Sequence, residues 1–228
     1  MARIRHGIPL FALLLLLGCA ATTPFSPPQP VDGNAAATGG GAAVRSKVFR
    51  LFGGVGSFSD SNTEELLGDS PYALGFGTKN NKGMLGYGFD TGLLFASEEH
   101  AINQTIMGIN VSSMEITNVM VPLRGTIYLN LNSEAAEKGG VNPYLGLGLG
   151  VYPYFTTADL DTNYGSASED DSGILFGGHI QGGVEFYLES NIGLFVEAAM
   201  VETSDEDFLG VEFDVSHTLF HGGLLIRF

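Results

Sequence analysis

From about residue 44 to the end of the chain, apolar and small or polar residues alternate with a period of two. The clearest stretch is 142–155, where Leu145, Leu147, Leu149, Val151 and Phe155 fall on one side and Tyr144, Gly146, Gly148, Gly150, Tyr152 and Tyr154 on the other. Alternate side chains point to opposite faces of a strand, whereas a helix would spread both sets around its circumference. Glycine repeated along one face weakens an isolated strand. That face is therefore expected to look into a narrow, crowded space, with branched aliphatics on the outside, as in a thin membrane barrel.

The same pattern predicts strands over 47–58, 72–78, 84–96, 115–131, 142–155, 173–188, 191–203 and 211–228. In the last of these the alternation changes phase near His217, which predicts a bulge or a strand top standing clear of the membrane. Long connections, 59–71, 97–114, 156–172 and the shorter 204–210, alternate with short ones at 79–83, 132–141 and 189–190. That order fits an all-β, up-and-down antiparallel transmembrane β-barrel of about eight strands, with long outer loops and short periplasmic turns.

The first 43 residues do not share the pattern. Arg3, Arg5 and His6 precede an apolar run over 8–17, too short to cross a bilayer as a helix. The run ends Leu16-Leu17-Gly18-Cys19-Ala20, and Cys19 is the only cysteine of the chain, so no intrachain disulfide exists. Residues 20–43 are rich in Pro, Ala and Gly without periodicity and read as a flexible tether. The expected organisation is a signal peptide over 1–18, a tether over 19–43 and a barrel over 44–228.

The net charge of −15 argues against nucleic acid, whose phosphates need a basic surface. Charged residues are sparse at 15 %, and the small-residue face carries about one per strand, whereas a solvated face would be rich in Lys and Glu. This favours a membrane barrel over the main alternative, a lipid-anchored soluble barrel of lipocalin type binding an apolar ligand. The absence of Trp removes the lipocalin glycine–tryptophan motif as well.

Two resemblances sharpen the picture. The segment ending in Gly18-Cys19 resembles the bacterial lipobox, which implies that Cys19 is lipidated, for example with palmitate; the following Ala20 implies transport to the outer membrane of a Gram-negative cell. The Pro143-Tyr144-Leu145-Gly146-Leu147-Gly148-Leu149-Gly150 strand and the terminal Leu224-Leu225-Ile226-Arg227-Phe228 are similar to the small outer-membrane barrel superfamily, which includes the transmembrane domain of outer membrane protein A and the opacity-type proteins. That resemblance implies outer-membrane lipid and the barrel-assembly machinery as partners, a monomer, and Phe228 as the assembly signal.

Arg50, Asp90, Arg124, His179, Gln181, Glu185, Glu197, His221 and Arg227 fall on the small-residue face and are expected to pair inside the lumen, because an unpaired buried charge is costly. The expectation is a closed lumen rather than an ion path, since side chains fill eight-stranded interiors. Asp159-Leu160-Asp161-Thr162-Asn163-Tyr164-Gly165 departs from a calcium loop at Tyr164, where the sharp-turn glycine is required, and reads as part of an acidic outer loop. Clustered carboxylates there leave weak divalent bridging open. A lipid A-modifying enzyme is a further alternative, but Leu219 stands where the family's serine would follow His217 by two residues. No cofactor or metal motif is read, and the expected function is a non-catalytic, surface-presenting scaffold.

Overall fold

The computed structural model describes residues 45–106, 109–135, 139–188, 191–204, 206–208 and 211–228. Cys19, the signal peptide, the tether and the 189–190 turn lie outside them. The strands are β1 (Arg45–Phe58), β2 (Tyr72–Lys82), β3 (Leu85–Ile106), β4 (Ile109–Met120), β5 (Leu123–Asn130), β6 (Gly140–Thr162), β7 (Gly165–Tyr187), β8 (Ile192–Thr203), β9 (Glu206–Phe208), β10 (Val211–Phe213) and β11 (His217–Arg227). A seven-residue helix, α1 (Ser61–Leu67), follows β1.

Nine strands form one antiparallel sheet that closes on itself, because β1 pairs with both β2 and β11. β4 and β5 are one stave of the wall, broken at Val121 and Pro122, so the barrel has eight staves in up-and-down order. The break has a chemical cause. Val121 donates its N–H to the Pro153 carbonyl on the β6 side, whereas Pro122 has no N–H to offer β3. β3 pairs with the stave at Thr91–Leu123 and Leu94–Met120, leaving Gly92 and Leu93 opposite the break without an assigned pairing.

Which way each face points is settled by exposure. Leu147 and Leu149 are 67 % and 76 % exposed, whereas Tyr144 and Tyr152 on the same strand are 1 % and 0 % exposed. The apolar girdle runs around the outside, and its upper edge is sharp: a rung of Phe95, Val119 and Phe155 lies directly under a rung of Ser97, Thr117, Thr157 and Asp170. A soluble barrel would bury these aliphatics, so the lipocalin-type alternative is set aside. No described helix is long and apolar enough to cross a membrane; the crossing elements are the strands.

Several connections differ from expectation. Residues 97–106, 109–114 and 156–172 are not loops but continuations of β3, β4, β6 and β7, with the turn between β6 and β7 at Asn163-Tyr164. Above the girdle the outward positions turn polar while inward ones such as Ile116 and Ala158 stay buried, so the apolar alternation fades while the hydrogen-bond ladder continues. β2 also runs on to Lys82 instead of ending at residue 78. The expected strand over 211–228 is interrupted at Asp214 to Ser216; β10 pairs separately with β9, and β11 begins at His217. The phase change therefore marks a break, not a bulge.

α1 starts where Asp60 accepts the Thr63 N–H in an N-cap at 2.9 Å, and it ends at Gly68, whose φ of +79° suits glycine. Its Leu67 joins Phe58, Leu94, Ile116, Met120, Leu175, Val215 and Leu219 in an apolar cluster that fills the upper interior.

Candidate functional site

The interior below that cluster is where the chain's chemistry is concentrated. It is built in tiers, because inward positions recur every second residue and neighbouring strands are staggered.

In the upper tier, Arg124 on β5 reaches across to Asp90 on β3, donating from Nε at 2.7 Å and from a terminal nitrogen at 2.5 Å. One rung down, Thr126 Oγ1 meets His179 Nε2 at 2.8 Å. Room for the imidazole exists only because residue 148 is glycine: a Cβ there would lie 2.5 Å from His179 and 2.2 Å from the Gly125 carbonyl oxygen. The expectation that glycines face a crowded lumen holds at this position for a reason that can be measured in ångströms.

Glu197 on β8 is the hub of the middle tier. Its Oε2 accepts from Arg50 at 2.9 Å, Tyr144 at 2.5 Å and Gln181 at 3.0 Å, and its Oε1 contacts His221 Nε2 at 2.6 Å. Arg50 also donates to Tyr128 and Tyr144 and lies 4.0 Å over the Phe195 ring. The lower tier pairs Lys79 Nζ with Glu185 Oε1 at 2.8 Å. Glu185 Oε2 accepts further hydrogen bonds from Asn142 at 2.7 Å and Tyr187 at 3.2 Å. Asn142, Asn130, Asn81 and Ser46 continue as a chain of side-chain hydrogen bonds across the strands.

Of the nine polar residues placed inside from the sequence, Arg50, Asp90, Arg124, His179, Gln181, Glu185, Glu197 and His221 are all buried there. Arg227 sits half-buried at the end of β11, on the same side of the strand as buried Leu225. Sequence reading missed Lys79 by assigning it to a turn. The signal was present, since Gly75, Gly77, Lys79 and Asn81 continue the inward parity of β2. Among the described residues Arg50, Lys79 and Arg124 then pair with Glu197, Glu185 and Asp90 in turn, each fixed cation with its own carboxylate. Balance of this kind is what a dry interior demands. A void of about 10 Å³ beside Phe52, Met120 and Arg124 is at the lower limit of what one water needs.

Outside the barrel, Asp159 and Asp161 lie on β6 and Gly165 opens β7 past a two-residue turn, so the calcium-like segment is an ordinary β-hairpin. Among the described residues no group of three His, Cys, Asp or Glu converges as metal ligands would. Ser216 is buried, and its Oγ accepts the Thr203 N–H at 2.9 Å; His217 Nδ1 contacts the Val215 carbonyl at 2.7 Å. Both groups are engaged by the backbone near the break before β11.

No family model and no curated sequence matches the chain. Solved structures do. The chain is similar to the outer membrane protein OprG of Pseudomonas aeruginosa, with 12 % identity over 82 % of this chain and 98 % of that one, at a TM-score of 0.56. It is also similar to Neisserial surface protein A, with 13 % identity over 80 % and 97 % of the two chains, at a TM-score of 0.50. At such identities the likeness is one of fold: the small outer-membrane β-barrel. With the apolar girdle outside and paired charges within, the chain has the fold of a membrane-spanning β-barrel of that kind.

Proposed function

We propose that this protein is a non-catalytic scaffold that presents an acidic sheet at the cell surface on a barrel closed to ions. The filled interior carries the reading. Paired charges, tyrosines and asparagines occupy the lower lumen, the apolar cluster under α1 occupies the upper one, and side chains that plug an eight-stranded barrel leave no aqueous path. The paired ends of β3–β4 and β6–β7 then project from the end of the barrel opposite Arg45 and Phe228. Their outward rung of Glu99, Glu115 and Asp159 gives that end its negative charge. In the same reading Cys19 carries a lipid that adds anchorage to a barrel already held by its wall, and Phe228 is the signal met by the barrel-assembly machinery.

Two measurements test this. Purified protein in planar bilayers should give no stable single-channel conductance; large steady openings would overturn the closed lumen. A Ser168→Cys variant on intact cells should react with a membrane-impermeant maleimide, with lipidated Cys19 giving no background. Labelling only after the outer membrane is broken would overturn the surface reading.

A further inference from the structure

Toward its upper end the barrel stops being a closed ring. β2 pairs with β3 only as far as Phe95, and β8 pairs with β7 only as far as Gly177. Beyond those rungs β3, β4, β6 and β7 continue as a four-stranded antiparallel sheet, its hairpin tips tied by Asn110 and Asn163 at 3.0 and 3.1 Å. A sheet opened in this way has two edges.

The edges are not equivalent. On the β3 side, α1 lies against the strand, with His100 Nε2 at 3.1 Å from the Leu66 carbonyl. Higher up, that strand is bent by a register shift between Ala101 and Gln104, where Asn103 has a φ of +47°. Covering and bulging are how natural sheets blunt an edge. Among the described residues β7 carries no such bulge and no helix against that edge. It runs against β6 from Gly165 to Tyr187 with no register shift, and above Ser204 no described strand pairs with its other side.

Parity identifies the groups on offer. Phe176 gives its carbonyl to the Ser204 N–H at 2.9 Å, so even-numbered residues of β7 direct N–H and C=O away from β6. Continued upward, Ser166, Ser168, Asp170, Ser172 and Ile174 present backbone donors and acceptors at the open edge. Most neighbouring side chains are small (Gly165, Ala167, Gly173), and the charged ones are Glu169, Asp170 and Asp171.

We propose that the upper edge of β7, residues 166–174, is a strand-addition site for an extended, Lys- or Arg-bearing segment of another protein. Backbone hydrogen bonds supply affinity in this mode, and alternate side chains supply specificity. A second copy of this chain is disfavoured as occupant: antiparallel pairing of two β7 edges about Asp170 sets carboxylates directly opposite one another. A basic strand sets cations opposite Asp170 on one face or Glu169 on the other, while Asp171 already accepts from the Tyr154 hydroxyl at 3.2 Å. The inference rests on the surface-presenting reading above.

The test uses the full protein in lipid nanodiscs and a fluorescent synthetic peptide of alternating Lys and Val or Thr, read by anisotropy. The parent peptide should bind, and an all-Glu counterpart should not. Ser168→Pro removes an edge donor without touching the β6–β7 ladder and should weaken binding about tenfold, the worth of one hydrogen bond with its register. A peptide N-methylated on alternate amides should lose at least as much, and it leaves the protein unaltered should the proline variant assemble poorly. Glu169→Gln/Asp170→Asn should weaken binding and flatten its salt dependence. If the charge variant loses affinity while the proline variant and methylated peptide bind like the parents, the contact is electrostatic adsorption and strand addition is wrong. Absence of peptide binding in a protein whose Ser168→Cys variant is labelled on intact cells would overturn this inference alone. An unlabelled variant would overturn the surface reading with it.

Discussion

Lys79 Nζ lies 2.8 Å from Glu185 Oε1, with both side chains fully shielded from solvent, although the two residues are 106 positions apart. Such a pair is weak evidence for stability in itself, since desolvating both ions offsets most of their attraction. Its importance appears when one partner is removed. Lys79→Met strands a carboxylate in a dry interior and should cost about 3–5 kcal/mol in urea unfolding from lipid. Lys79→Met/Glu185→Gln keeps an acceptor for Asn142 and Tyr187 and should recover most of that loss. A double variant no better than the single one would show that the pair does not behave as a buried ion pair.

Two glycines on adjoining strands should respond in opposite ways. Gly148→Ala drives a methyl group into His179 and the Gly125 carbonyl, and should destabilise by about 1–3 kcal/mol. A Cβ at Gly125, on the lipid side, meets nothing within 4 Å, so Gly125→Ala should be neutral or slightly stabilising. Equal effects in the same unfolding assay would contradict the assignment of inner and outer faces.

Depth in the girdle should grade the cost of a charge. Leu147→Arg lies mid-girdle and is expected to cost roughly 2–4 kcal/mol, whereas Thr157→Arg, on the polar rung at the rim, should cost about 0–1 kcal/mol. The difference between the two locates the upper membrane boundary.

Lipidation is tested without reference to the barrel. Cys19→Ser should abolish metabolic labelling with palmitate while the protein still shifts mobility on heating in a gel. Undiminished labelling would sink the lipobox reading.

The sequence carried the barrel wherever lipid bathes one face of a strand and packed side chains the other, because that asymmetry is what produces a period of two. It failed where the asymmetry ends. Residues 97–106, 109–114 and 156–172 lose the apolar residues on their outward side, although inward ones such as Thr156 and Ala158 stay buried, and so they read as loops. α1 is only seven residues long, below what periodicity resolves, although Asp60 three residues ahead of Thr63 is a capping arrangement in hindsight. Inward parity picked out eight of the nine buried polar candidates, yet it could not say who pairs with whom. The match of Arg124 to Asp90, or of Arg50 to Glu197, depends on strand stagger around a closed ring, and no local pattern encodes that.

The gap at Pro122 gives the wall an unfinished rung. Gly92 and Leu93 face Pro122 and Val121 without the pairing their neighbours have. Leu93 and Val121 stand over that place on the outside, both among the exposed apolar residues. Water arriving there would compete for a carbonyl that no strand has claimed; an acyl chain cannot. The seam is thus closed by the solvent the protein lives in rather than by the protein itself. The molecule should breathe more at Gly92 in a loose detergent micelle than in a bilayer, and amide exchange around that residue would show the lipid acting as the missing piece of the fold.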